Sequence, residues 1–244
     1  MATPPDRFSR IYARQEYLTP GAAETVALFA EAARPDASAR ILEVACGKAE
    51  AACTLAARFG CRVLAVDRHE PFLRYDAAKV RDRDLAHRVS LVRADGRRLP
   101  VPDASLDGGY CIGAPSIVGL EDCLRELRRA VHPGGAVAVS DIVWRVKPDG
   151  PLGPEWSWVA RQEPQIDADE YAAVIASCGL RVERVHIHPR SAWDDYYAPM
   201  AATAAAERAA GDAAFADGVE RGIAVERRAL DAFWDYATFI TRRP

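Results

Sequence analysis

An α/β fold, with a Rossmann-like and mostly parallel sheet, is the class this sequence predicts. Three stretches carry the expectation. Ile41-Leu42-Glu43-Val44 is a short apolar run holding one acid, and a turn of small residues follows it, Ala45-Cys46-Gly47-Lys48-Ala49. Residues 49–59 then repeat apolar side chains at helical spacing (Ala52, Leu55, Ala56, Phe59), and Gly60 is placed to stop the helix. A second buried strand, Cys61-Arg62-Val63-Leu64-Ala65-Val66, ends on Asp67. Strand, tight turn, helix and strand with a terminal carboxylate form one βαβ unit that can hold a nucleoside. The turn must be small because the ligand lies against its backbone. The terminal acid can accept both ribose hydroxyls.

Composition narrows the rest. A chain of 244 residues can bury one large core, and a hydrophobic fraction of 50% is ordinary for a globular domain. The net charge of -3 implies no bulk attraction to nucleic acid or to an anionic membrane. Arginines alternate with acids, as in Arg81-Asp82-Arg83-Asp84, which reads as a solvated helix face. No apolar run is long enough to span a bilayer, and the start of the chain, with Pro4 and Pro5, lacks the apolar core of a signal peptide. Six cysteines without paired spacing read as reduced thiols packed as small hydrophobes. A cytoplasmic location is expected.

The elements follow in order. Residues 8–17 form a short helix carrying Phe8, Ile11 and Tyr12. Thr19 is placed to cap a helix over 22–33, with Pro20 at its first position and Val26, Phe29 and Ala30 inward. After Asp67, Pro71 opens a helix over 72–85 that turns Leu73, Ala77 and Val80 inward. Residues 89–95 are a third strand ending on Asp95. The fourth strand, 108–112, ends in Cys111-Ile112-Gly113-Ala114, where strand ends face ligands. Residues 121–131 are an amphipathic helix, with Leu124, Leu127 and Val131 on one side. His132-Pro133-Gly134-Gly135 is a structural turn before a fifth strand at 136–143, which has Ser140-Asp141 near its end. The proline-rich stretch 148–166, with Trp156 and Trp158, reads as an insertion over the strand ends, a lid. Asp167 caps a helix at 168–177 and Gly179 stops it. A sixth strand at 181–188, a mostly helical stretch at 191–230 and a seventh strand at 236–241 complete a single domain. Its parts are cap helices at 8–35, a ligand-binding half at 36–147, the lid, and a C-terminal half at 167–244.

Four segments carry a resemblance. Glu43-Val44-Ala45-Cys46-Gly47-Lys48-Ala49 is similar to the E/D-x-G-x-G-x-G turn of class I S-adenosylmethionine-dependent methyltransferases, with Ala45 and Ala49 at two of the three glycine positions. Asp95-Gly96-Arg97-Arg98-Leu99-Pro100 resembles their D-A-x-x-L-P segment, in which the Asp accepts the adenine amine and the next backbone N–H meets a ring nitrogen. His132-Pro133-Gly134-Gly135 stands where they often have Lys-Pro-Gly-Gly. Tyr17-Leu18-Thr19-Pro20-Gly21 resembles the segment that covers the cofactor in the ubiquinone-biosynthesis-like group (methyltransferase type 11/25). From the first strand on, the resemblance spans residues 40–143, with the Tyr17–Gly21 segment ahead of it. It implies a seven-stranded sheet with an antiparallel last strand, helices on both faces, and S-adenosylmethionine as cofactor. Glu43, Ala45, Cys46, Gly47, Asp67, Arg68, Asp95, Gly96, Arg97, Cys111, Ile112 and Tyr17 would line the cofactor. For Tyr12 and Tyr17, core packing and ligand contact both stay open.

Methyl transfer from a sulfonium is an in-line displacement with a good leaving group. Alignment alone can contribute about 7–11 kcal/mol, so no fixed catalytic residue is required. The N/D-P-P-Y segment of amino-methylating nucleic-acid enzymes is absent after the fourth strand. A small-molecule acceptor is expected, with Tyr12, Trp144, Trp156, Trp158 and Tyr196 as candidate acceptor residues. His186 and His188 share one strand face and could chelate, but they read as polar edge residues, and no metal is expected. Two other readings remain: an RNA or protein methyltransferase, which would show a basic patch or a recognition domain, and a non-enzymatic protein that keeps the fold, which Ala45 and Ala49 leave open.

Overall fold

The computed structural model describes residues 6–157, 159 and 165–244. Five strands, β1 (Arg40–Val44), β2 (Arg62–Asp67), β3 (Val89–Arg93), β4 (Leu106–Ile112) and β5 (Val131–Trp144), run parallel. β6 (Arg181–Ile187) and β7 (Trp234–Arg242) complete a seven-stranded sheet in the order β3-β2-β1-β4-β5-β7-β6, with β7 antiparallel to both neighbours. The order reverses between β1 and β4, so a crevice opens beyond their carboxyl ends.

Strand alternation divides β1 between two cores. Ile41 joins Val26 and Phe29 of α2 (Ala22–Ala33), Leu55 of α3 (Glu50–Phe59) and Val80 of α4 (Glu70–Asp82). Leu42 and Val44 join Leu124 and Leu127 of α6 (Leu120–Ala130) and Ile175 of α7 (Ala168–Ser177). Burial on both faces is why the parallel strands read as nearly continuous apolar runs. A third cluster joins Trp193 and Tyr197 of α8 (Ser191–Ala209) to Phe215 and Val219 of α9 (Ala213–Ala232) and to Tyr236. Among the described residues the two remaining α-helices are short, α1 (Arg7–Ile11) and α5 (Pro115–Val118).

Most local punctuation acts as the sequence predicts. Gly60 ends α3 in a left-handed conformation at φ 70°. Asp167 and Glu170 form a reciprocal capping box on α7. Four expectations are corrected. The first helix does not run to Tyr17: α1 ends at Ile11, and the carbonyls of Tyr12 and Gln15 turn instead to the Lys48 ammonium. Thr19 does not cap α2: Gly21, left-handed at φ 62°, precedes the helix, and the Thr19 hydroxyl turns instead to the Tyr236 hydroxyl. Val131 leaves the helix and begins β5, which continues through Pro133-Gly134-Gly135. Gly134 and Arg243 are joined by a backbone hydrogen bond of 2.8 Å, so tertiary pairing extends a segment whose composition reads as a turn. Ala77 is only half-buried, while Asp76 and Lys79 of the same helix are buried.

Candidate active site

The crevice holds a cavity of about 730 Å³. Its first wall is the turn after β1. Ala45, Gly47 and Ala49 all adopt left-handed backbone, at φ 55°, 53° and 49°. The alternate-residue spacing of the motif is therefore the spacing of positive φ, and only one of the three positions is glycine. The turn is tied to the end of β2. Cys46 N–H donates to the Val66 carbonyl at 3.0 Å, and Gly47 N–H to Asp67 Oδ2 at 2.7 Å. Asp67 Oδ1 accepts from His69 N–H at 2.7 Å. Two of the roughly four acceptor positions of this carboxylate are thus used in holding it still, and two are left for a ligand. Glu43, buried below the turn, accepts from Ala52 N–H at 3.1 Å and fastens the start of α3. Its burial and the nearby Asp76 carboxyl push it well above the usual carboxylate range. Burial likewise raises the Cys46 thiol, which is a neutral wall rather than a nucleophile.

Beside β3, Asp95 lines the cavity but is engaged by Arg97, whose Nη2 donates at 2.7 Å and whose backbone N–H donates at 3.0 Å. These bonds hold the Asp95 carboxyl down at about 2. Next to it, a Cβ on Gly96 would stand 2.8 Å from Val44 Cγ1 and 3.0 Å from Val118 Cγ1, so glycine lets α5 close over this end.

The N-terminal segment roofs the cavity. Lys48 is 3% exposed, and its ammonium donates to the carbonyls of Tyr12 (3.0 Å) and Gln15 (2.5 Å), with Ala13 O further off at 3.4 Å. Lys79 binds the Lys48 carbonyl, Glu16 at 2.5 Å and Glu50 at 3.3 Å. A buried cation inside the turn motif thus fastens residues 12–16 over the turn itself. Leu18 presses down on Gly47, where an added Cβ would meet Leu18 Cδ1 at 2.7 Å.

The far end of the cavity is an aromatic chamber walled by Tyr12, Trp144, Trp193, Tyr196, Trp234 and Tyr236. The Tyr12 and Tyr196 hydroxyls are 2.8 Å apart. Two carboxyls face this space. Asp141, near the end of β5, accepts from Ser116 N–H at 3.0 Å, and burial raises it to about 6. Glu226 of α9 is raised by burial to about 7, tempered by the Tyr197 hydroxyl. Among the described residues the lining carries Glu16, Glu43, Glu50, Asp67, Asp95, Asp141 and Glu226 against one guanidinium, Arg68.

Of the residues the sequence singles out, Glu43, Ala45, Cys46, Gly47, Asp67, Arg68, Asp95, Gly96, Ile112 and Tyr17 line the end of the cavity beside the β1 turn, and Tyr12, Trp144 and Tyr196 line the chamber. Three are placed elsewhere. Cys111 alternates with Ile112 along β4 and turns to the opposite face, where its thiol meets Cys123 of α6. The Arg97 side chain folds back on Asp95 and lies outside the lining. Trp156 packs edge-on against Phe233, ring centroids 5.0 Å apart, with the Arg228 guanidinium over its face. Trp158 lies outside the described residues. Sequence reasoning missed Glu226, since an acid within a charged helical stretch reads as solvated. It also missed Lys48, whose burial no local pattern reveals.

Residues 41–135 match the family described as methyltransferase domain. The methyltransferase GfsG of Streptomyces halstedii is 35% identical over 117 residues, 46% of this chain and 41% of that protein. The ubiquinone/menaquinone biosynthesis C-methyltransferase UbiE of Ectopseudomonas mendocina is 29% identical over 116 residues, 46% of this chain and 44% of that protein. The chain thus spans about half the length of the curated relatives it matches. Among solved structures, a SAM-dependent methyltransferase from Thiobacillus denitrificans, in complex with S-adenosyl-L-homocysteine, superposes with a TM-score of 0.81 at 20% identity, covering 100% of both chains. Residues 41–135 are thus similar to the methyltransferase domain family, and the chain built around them has the class I methyltransferase fold.

Proposed function

We propose that this chain is an S-adenosylmethionine-dependent methyltransferase acting on a small-molecule acceptor. The observation that carries the reading is the continuity of one cavity, from a left-handed turn pinned to Asp67 through to an aromatic chamber holding Glu226. The residues present fit the cofactor. Asp67 keeps two acceptor positions for ribose hydroxyls, and Gly96 and Val118 line the cavity beside Asp95, where a base would lie. When bound, S-adenosylmethionine supplies a methyl group open to in-line displacement.

The chain's own contribution is alignment and exclusion of water. The roof tied by Lys48 and Lys79 shields the turn, and the chamber walls hold an acceptor against the donor end, the effect for which about 7–11 kcal/mol is available. Glu226, with an affinity for protons near neutrality, can take the proton that an N–H or O–H acceptor loses as its new bond forms.

Calorimetric titration with S-adenosylmethionine and S-adenosylhomocysteine tests the cofactor half. Incubation of methyl-labelled S-adenosylmethionine with fractionated small metabolites tests the acceptor half. Saturable 1:1 binding and labelled small products are expected. Absence of binding to both nucleosides would overturn the reading, and binding without labelled product from any pool would leave the passive alternative as the better account.

A further inference from the structure

Away from the cavity, Glu24, His186 and His188 converge on one point, their donor atoms all within 4.8 Å of one another. His186 lies on β6 and His188 just beyond it. They alternate along extended chain and so face the same side, where α2 supplies Glu24. Glu24 Oε1 is 3.0 Å from His186 Nε2, and Oε2 is 3.0 Å from His188 Nδ1. An ion with bonds of 2.0–2.1 Å in tetrahedral geometry holds its donors about 3.4 Å apart, so a small adjustment would seat one.

Two features separate this cluster from an ordinary ion pair. His186 Nε2 is buried, and despite its distance from Glu24 it makes no hydrogen bond. His188, its side chain wholly buried, is oriented from behind: Nε2 is 2.7 Å from Thr238 Oγ1, which is 2.6 Å from Thr25 Oγ1, which reaches the Gly21 carbonyl at 3.1 Å. Protons can run along that chain from His188 Nε2–H to the terminal carbonyl. Without an ion, Nδ1–H donates to Glu24 at 3.0 Å; with Nε2–H engaged by Thr238, loss of the Nδ1 proton would free Nδ1 for an ion, as in metal sites whose outer hydrogen bonds fix the histidine tautomer. Gly21 makes room, since a Cβ there would overlap the His188 ring. The Glu24 side chain is 46% exposed, which leaves one side of the cluster open to solvent.

We propose that Glu24, His186 and His188 bind one divalent first-row transition ion, with His186 Nε2, His188 Nδ1 and a Glu24 oxygen as ligands. Two imidazoles and a carboxylate suit Zn2+, and the open side leaves a fourth position to water. The ion would clip α2 to the sheet edge. Pro20 and Ala22 line the cavity on either side of Gly21, so the clip would steady the segment leading into the roof. The proposal does not depend on methyl transfer, and its test contains no S-adenosylmethionine.

The tag-free chain, treated with chelator and then dialysed, is titrated with ZnCl2 by calorimetry and melted over a Zn2+ series. Co2+ serves as a second probe, read by its visible absorption. One Zn2+ per chain, and a melting temperature that climbs with Zn2+, are expected. His186→Ala, at a half-buried edge position, and Glu24→Gln should each weaken Zn2+ binding by at least about tenfold. No binding by the wild-type chain would overturn the proposal. So would binding that survives both substitutions, or a loss of stability in the variants that is the same with and without Zn2+, which would mark a hydrogen-bonded clasp.

Discussion

Replacing Lys48 by methionine should open the roof of the cavity. The ammonium makes two short bonds to backbone carbonyls, at 2.5 Å and 3.0 Å, inside a site that is almost fully closed to solvent. Hydrogen bonds from a charged donor contribute about 1.5–3 kcal/mol each, so the two at the lower value amount to about 3 kcal/mol. Methionine matches the length of the lysine stem and leaves little void. It also relieves the desolvation of a buried cation, which offsets part of the loss. A net shift of about 2 kcal/mol toward the open segment corresponds to about thirtyfold in its population.

Limited trypsin digestion reads that population directly. Arg14 is exposed and sits between the carbonyls that Lys48 holds, whereas Arg10 is also tied to Glu207 and Asp212 at 2.7 Å each. When reclosing is faster than cleavage, the rate follows the open population. Cleavage after Arg14 should therefore rise by roughly thirtyfold in Lys48→Met, and saturating S-adenosylmethionine should suppress much of the rise, because a bound ligand favours the closed form. The melting temperature should fall much less than the cleavage rate rises, since Lys79 still holds Glu16. A cleavage rate within about threefold of wild type would refute the reasoning and show that Lys48 is buried without fastening anything.

Other perturbations follow from the same geometry. Asp67→Asn should weaken S-adenosylmethionine binding by about tenfold or more while leaving the far-ultraviolet spectrum unchanged, because the amide oxygen can still accept from Gly47 N–H but the amide NH2 faces His69 N–H and offers a ligand no acceptor; unchanged calorimetric affinity would remove Asp67 from the site. Glu226→Gln should flatten the pH-rate profile near 7 for any acceptor that loses a proton. The same change tests stability: the folded-state pKa of Glu226 lies above its ordinary 4.5, so its contribution is present at low pH and lost as pH rises toward about 7, and the variant should gain on wild type across that window in denaturant titrations. Ala45→Gly should raise stability slightly, by about 0.5 kcal/mol, as relief of a left-handed alanine outweighs a half-buried methyl; Ala49→Gly should be near neutral, since its methyl is fully buried, and equal large losses at both would contradict the backbone account.

What the sequence makes legible is local. A strand ending on an acid, a helix cap at Asp167 and a glycine stop at Gly60 each act within a few residues, and each is found where its pattern places it. What stays hidden depends on partners far along the chain. Thr19 has the chemistry of a cap, but Tyr236 claims its hydroxyl across 217 residues. Trp156 has the chemistry of a ligand wall, but Phe233 offers it a packing partner outside the cavity. His186 and His188 alone are two edge residues, and only the packing of α2 brings Glu24 between them. Lys48 shows the limit most clearly. Within the motif it occupies a variable position, and its burial follows from residues 12–16 folding back across the turn.

That folding back bears on how a turn with one glycine can serve. Three left-handed positions set the path of the chain, and alanine at two of them costs roughly 1–2 kcal/mol each in backbone strain. A strained turn left in water would relax toward ordinary conformations. Here it cannot, because its N–H groups are held by Val66 and Asp67 from below, and its Lys48 carbonyl and side chain are held by Lys79 and the roof from above. The roof and the turn therefore stabilise one another. Loosening the roof should let the turn relax, which couples closure of the N-terminal segment to the backbone shape that a cofactor would meet. In a turn with glycine at all three positions that coupling would be weaker, since the left-handed path would cost little without the roof.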